Sequence, residues 1–93
     1  MNAIHRPLAV VTGASSGIGL ELAKLAAQDG HDLVVAADEA AIETAAATFR
    51  SLGATVDAIE VDLATPQGCE QLIATIGGRQ VDVLMPLRDR TGT

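Results

Sequence analysis

The strongest constraint on this chain is a glycine-rich turn, Thr12-Gly13-Ala14-Ser15-Ser16-Gly17-Ile18-Gly19, which directly follows the apolar run Leu8-Ala9-Val10-Val11 and opens onto a helical pattern. An unbroken apolar run reads as a strand buried on both faces. Residues 17–28 read as the helix that follows, with Ile18, Leu22, Leu25 and Ala26 on its apolar stripe and Gly30 as its stop signal. A buried strand followed by a crossover helix is the unit from which parallel sheets are built.

The same alternation continues along the chain. Residues 32–37, carrying Leu33-Val34-Val35, read as a second buried strand, and 39–52 as a helix with Ile42, Ala46, Phe49 and Leu52 on one face, closed by Gly53. Residues 55–61 interleave Val56, Ile59 and Val61 with Asp57 and Glu60, the pattern of a strand at an exposed edge. Thr65-Pro66 supplies an N-cap and a first helical residue, Cys69, Leu72, Ile73 and Ile76 form the stripe, and Gly77-Gly78 the end. Residues 81–85, Val-Asp-Val-Leu-Met, read as a fourth strand. The expectation is an α/β fold: a partial Rossmann arrangement, a four-stranded parallel sheet in the order 3-2-1-4 with three helices and right-handed crossovers. Residues 1–85 form one unit in this reading. Residues 86–93 form an irregular tail without apolar periodicity.

The turn's spacing has a chemical reason. Gly13 permits a tight exit from the strand, Gly17 lets backbone approach a diphosphate where a Cβ would collide, and Gly19 allows close packing of the helix. N–H groups at the helix start, with the helix dipole, favour an anion there, and the Ser15 and Ser16 hydroxyls can add hydrogen bonds. No lysine follows Gly19, so the turn is not the phosphate loop of nucleoside triphosphatases. Asp38 lies at the end of the second strand, about 20 residues on, where a carboxylate can accept hydrogen bonds from an adenosine ribose. Asp38 can equally cap the helix beginning near Glu39, and the two roles are compatible. A negative Asp38 beside Glu39 would repel the extra phosphate of NADP, so NAD is expected over NADP.

These residues resemble the short-chain dehydrogenase/reductase family, whose opening fingerprint T-G-x-x-x-G-x-G is matched position by position over 12–19. The resemblance runs over about 7–85. It implies a dinucleotide held by Gly13, Ser15, Ser16, Gly17, Ile18 and Gly19, with Asp62 and Leu63 against the adenine. Without the resemblance, Asp62 reads as a turn-former before the Thr65-Pro66 cap. The family continues beyond its fourth strand into an Asn-Ala-Gly segment, whereas this chain reads Pro86-Leu87-Arg88. The family's proton relay uses a tyrosine, a lysine, a serine and an asparagine. This chain has no tyrosine, its only lysine is Lys24 on the first helix, and its only asparagine is Asn2. The expectation is therefore an amino-terminal piece of an oxidoreductase, without catalytic or metal-ligating residues and inactive alone. The alternatives are a non-catalytic nucleotide-binding or regulatory module, or a truncated product whose tail comes from a shifted reading frame.

Other residues carry less. His5 and His31 precede strands and read as surface residues, and Cys69 reads as a small core residue rather than a nucleophile. Twelve acidic against six basic residues and a single aromatic, Phe49, make a poor surface for nucleic acid. No apolar run reaches the length of a signal core or a membrane span. One cysteine suits a reducing compartment, and cytoplasm is expected. The open side of the fourth strand predicts self-association.

Overall fold

The computed structural model describes residues 6–15 and 17–86. Four strands, β1 (Leu8–Thr12), β2 (Asp32–Ala37), β3 (Val56–Glu60) and β4 (Val83–Pro86), alternate with three helices, α1 (Gly17–Gln28), α2 (Ala41–Ser51) and α3 (Pro66–Ile76). All neighbouring strands are parallel and the order is β3-β2-β1-β4, as the alternation predicts. β1 and β2 are central. Every residue of β1 is buried, and all of β2 after Asp32, which is why both read as continuous apolar runs.

The sheet's two faces are covered unequally. Ala9, Val11, Leu33, Val35 and Val56 point into a core shared with Ala23, Ala26 and Ala27 of α1 and Ile42, Ala45, Ala46 and Phe49 of α2. Phe49 is fully buried at its centre. On the opposite face Leu8, Val10 and Val34 meet only the partly buried Leu72 and Ile76 of α3.

Four expectations are corrected here. Of the expected α1 stripe Ala26 is buried and Leu22 half-buried, but Ile18 and Leu25 are 73% and 59% exposed, and the buried residues are Gly19, Ala23, Ala26 and Ala27. A helix lying close on a sheet buries its smallest side chains, and the large ones project past the contact. Cys69 is exposed rather than core, and Ile73 is 68% exposed, because α3 rests on the sheet through Leu72 and Ile76 alone. The second helix begins at Ala41, with Ala40 as its N-cap, rather than near Glu39. The fourth strand starts at Val83, not 81, and runs on through Pro86, which pairs with Thr12. The rest of the expected tail, 87–93, lies outside the described residues, as does His5.

The amino ends of the strands are tied by polar links. The Leu8 N–H donates to the Asp82 carboxylate at 2.9 Å, and the Asp82 N–H to the Leu8 carbonyl. Arg6 pairs with Asp32 at 2.7 Å and Arg79 with Asp57 at 3.1 Å. Burial pushes the Asp32 pKa up, but the Arg6 hydrogen bond, the Thr55 N–H and the charges of Arg6 and Arg79 outweigh it and hold the pKa below 3.8. A depressed carboxylate stabilises the fold above its unfolded pKa and loses that contribution as pH falls through the folded value. Arg6→Ala is therefore expected to cost up to about 1 kcal/mol at pH 7. Denaturant titrations should show that cost shrinking below pH 3.8. Phe49→Ala, which empties the centre of the larger core, should cost about 3–5 kcal/mol by the same measurement.

Candidate functional site

The carboxyl ends of β1, β2 and β3 are drawn together by the last two carbonyls of β2. Ala36 C=O accepts from the Gly13 N–H at 2.8 Å and from the Ala14 N–H at 3.4 Å, which bends the chain sharply as it leaves β1. Ala37 C=O accepts from the Val61 N–H at 2.8 Å, fixing where the chain leaves β3. The glycine turn, Asp38 and the Asp62-Leu63 pair therefore open on one edge of the sheet. Ligands of open parallel sheets bind at this edge.

Inside the turn the glycines have separable roles. A Cβ on Gly19 would sit 2.1 Å from the Gly13 carbonyl oxygen, so the helix start and the turn touch backbone to backbone. The close approach is between Gly19 and the turn itself, where the sequence alone indicated helix-on-sheet packing. Gly17 has φ 59°, a left-handed conformation favouring glycine, yet a Cβ there would meet no atom within 4 Å. Its hydrogens face open space at the start of α1, a helix with no acidic residue in its first turn. Open space at the positive end of a helix is what an anionic group needs.

Of the residues singled out from sequence, Gly13 is half-buried, Gly17 and Ile18 are exposed, and Gly19 is buried. Ser16 lies outside the described residues. Ser15 is half-buried and its hydroxyl donates to the Glu39 carboxylate at 2.5 Å, a link across the mouth of the turn that the spacing gave no sign of. Asp38 and Asp62 are exposed and Leu63 half-buried. Asp62 does form the turn its sequence context indicates: its side chain accepts from the Ala64 N–H at 2.9 Å, and its carbonyl accepts from the Thr65 hydroxyl at 2.8 Å.

Thr65 caps α3 as expected, accepting from the Gly68 N–H at 3.0 Å, with Pro66 as the first helical residue. Gly68 itself was missed. A Cβ there would lie 2.0 Å from the Asp62 carbonyl oxygen, so this glycine lets α3 begin directly beneath the Asp62 turn. The available signal was a glycine in the first turn of a helix, where propensity disfavours it.

His31 is half-buried rather than a surface residue, and its Nδ1 is buried without a hydrogen-bond partner. It lines a groove of about 490 Å³ with Leu22, Leu25, Val83 and Met85, between α1 and β4. That groove is at the side of the sheet, not at the edge carrying the turn. Among the described residues no group of acidic, histidine and cysteine side chains could hold a metal ion, and no helix is long and apolar enough to cross a membrane.

With this geometry in hand, comparison with known proteins is decisive: the short chain dehydrogenase pattern matches residues 7–86. The chain belongs to the short-chain dehydrogenase/reductase family. It is 42% identical over 76 residues to 1-deoxy-11-beta-hydroxypentalenate dehydrogenase of Streptomyces arenae, a match covering 81% of this chain and 27% of that one. The structure of actinorhodin polyketide ketoreductase with NADPH superposes with a TM-score of 0.85 at 33% identity, covering 94% of this chain and 34% of that one. A short-chain dehydrogenase/reductase of Burkholderia phymatum in complex with NAD gives a TM-score of 0.78 at 30% identity, covering 90% and 31%. The chain thus spans about a third of the length of these relatives and corresponds to their amino-terminal part.

The steric reading predicts that Gly19→Ala destabilises the chain severely, because both colliding atoms belong to backbone and neither can swing away. Thermal unfolding followed by circular dichroism should show a loss of at least about 2 kcal/mol, in the range of other overpacked positions. Gly68→Ala should behave alike.

Proposed function

We propose that this chain is the nucleotide-binding, amino-terminal part of an oxidoreductase and binds the adenosine diphosphate half of NAD. The observation that carries this reading is the backbone cradle of Gly13, Gly17 and Gly19 at the start of α1, tied to β2 through Ala36. In this assignment the diphosphate lies against the turn and the first N–H groups of α1, with Ser15, Ser16 and Ile18 around it. Asp38 accepts from the adenosine ribose, and Asp62 and Leu63 meet the adenine.

NAD is preferred over NADP. The ketoreductase structure is with NADPH, so the preference rests on this chain's own Asp38 and Glu39, which a 2′-phosphate would have to approach. Two like charges a few ångströms apart near a surface repel by about 1–4 kcal/mol, which corresponds to a selectivity of roughly fivefold to several hundredfold. The nicotinamide moves hydride when bound in a complete enzyme. This chain carries no tyrosine, and its one lysine, Lys24, lies on α1 beside Glu21 at 3.6 Å, so by itself it binds without catalysing. Its single cysteine suits a reducing, cytoplasmic setting.

A second reading, a nucleotide-binding module that pairs with other subunits, draws on the open side of β4. Leu84 is 60% exposed there, and Val83 and Met85 line the groove beside α1. An exposed edge strand beside apolar surface favours association. Sedimentation should therefore show concentration-dependent self-association; a monodisperse monomer would count against it.

The binding proposal is tested by calorimetric titration of the folded chain with NAD and NADP. Saturable NAD binding, tighter than NADP and abolished by Gly17→Ala, is expected. That substitution strains one φ by about 1–2 kcal/mol but places a methyl group in the cradle. A folded chain that gives no response to millimolar NAD would refute the reading.

A further inference from the structure

Glu39 is an exposed residue held at both ends. Its carbonyl accepts from the Ile42 N–H at 3.2 Å at the start of α2, and its Oε2 accepts from the Ser15 hydroxyl at 2.5 Å across the mouth of the glycine turn. The bond from the Gly13 N–H to the Ala36 carbonyl keeps the turn beside the β2 exit, so the two partners stay within reach of each other. Among the described residues the arginines and the lysine are engaged elsewhere: Arg6 by Asp32, Lys24 by Glu21, Arg50 by the Val56 carbonyl and Arg79 by Asp57. The Ser15 hydroxyl is therefore the group that fixes this carboxylate at the turn.

A serine hydroxyl carries one proton to donate. While Glu39 accepts it, no ligand oxygen can, and the carboxylate stands in for the anionic acceptor that a ligand in the turn would supply. We infer that Glu39 is a self-inhibitory latch on the empty site: it holds the Ser15 hydroxyl until a nucleotide diphosphate displaces it, so that binding exchanges one anionic acceptor for another. The inference rests on the nucleotide reading above and adds a control of the same site. A charge-assisted hydrogen bond must break before Ser15 can serve the ligand, and a diphosphate must come up to a carboxylate, so both effects weaken the net affinity. Ser15 then adds little to binding in the native chain, and more once Glu39 is removed.

The test is a double-mutant cycle of Glu39→Ala and Ser15→Ala, read by calorimetric titration with ADP and with NAD, neither of which carries a 2′-phosphate. Both side chains lie outside the two hydrophobic cores, so the variants should keep the native circular dichroism. Glu39→Ala should tighten both ligands by roughly fivefold, the worth of one exposed hydrogen bond to a charged group. In the Ser15→Ala background, where no hydroxyl is left to release, the gain should fall to about twofold or less. It should return in the Ser15→Thr background, which keeps the hydroxyl. A gain as large without the hydroxyl as with it would mean that Glu39 acts by charge alone, and an absent gain or weaker binding that it supports the site. Either result overturns the latch while nucleotide binding stands. A native chain that is folded by circular dichroism and binds neither ADP nor NAD overturns the nucleotide reading and the latch together.

Discussion

The site depends on two peptide carbonyls. Ala36 and Ala37, the last residues of β2, accept from Gly13 and Val61 and so dictate where the chain leaves β1 and β3. Because those groups are backbone, the arrangement is set by the parallel register of the three strands rather than by any side chain. The glycines then follow as a consequence. Once Gly13 is held against Ala36, α1 must start within touching distance of the Gly13 carbonyl, and only a residue without a Cβ fits at position 19. The same logic recurs at Gly68 under the Asp62 turn, so two helices begin against two strand exits by the same device.

This construction leaves the molecule lopsided. One face of the sheet is sealed by α1 and α2 around Phe49, whereas the other carries α3 on a narrow contact through Leu72 and Ile76. Outside the smaller core, Ile73, Leu84, Ile18 and Leu25 keep large apolar surfaces in solvent. The groove that His31 lines lies between α1 and β4, on the face that carries the larger core.

Strand order, helix number and the position of the turn were legible because burial on both faces leaves an unmistakable trace in β1 and β2. The turn was legible because its spacing answers a steric demand. The buried side of α1 was not, since Ile18 and Leu25 are among the most hydrophobic residues on the helix, while close approach selects Gly19, Ala23 and Ala27. Cys69 was misplaced for a related reason: an apolar stripe predicts burial only if something covers it, and coverage is a property of neighbouring elements. Glu39 was read only as a neighbour of Asp38, because its bond to Ser15 joins residues 24 apart across two segments. Gly68 escaped because its purpose is a carbonyl six positions earlier, visible only after the Asp62 turn has formed.

The two ends of the sheet carry different groups. The amino ends carry ion pairs, Arg6 with Asp32 and Arg79 with Asp57, while the carboxyl ends bring the glycine turn, Asp38 and the Asp62 turn to one edge of the sheet, with open space beside Gly17. Amide chemical-shift mapping of the isotopically labelled chain during titration with NAD separates these roles directly. The account predicts shifts concentrated at Gly13, Ser15, Gly17, Ile18, Gly19 and Asp38, with Arg6, Asp32 and Arg79 unmoved. Shifts confined to the amino-end residues, or to the groove around His31 and Met85, would contradict it.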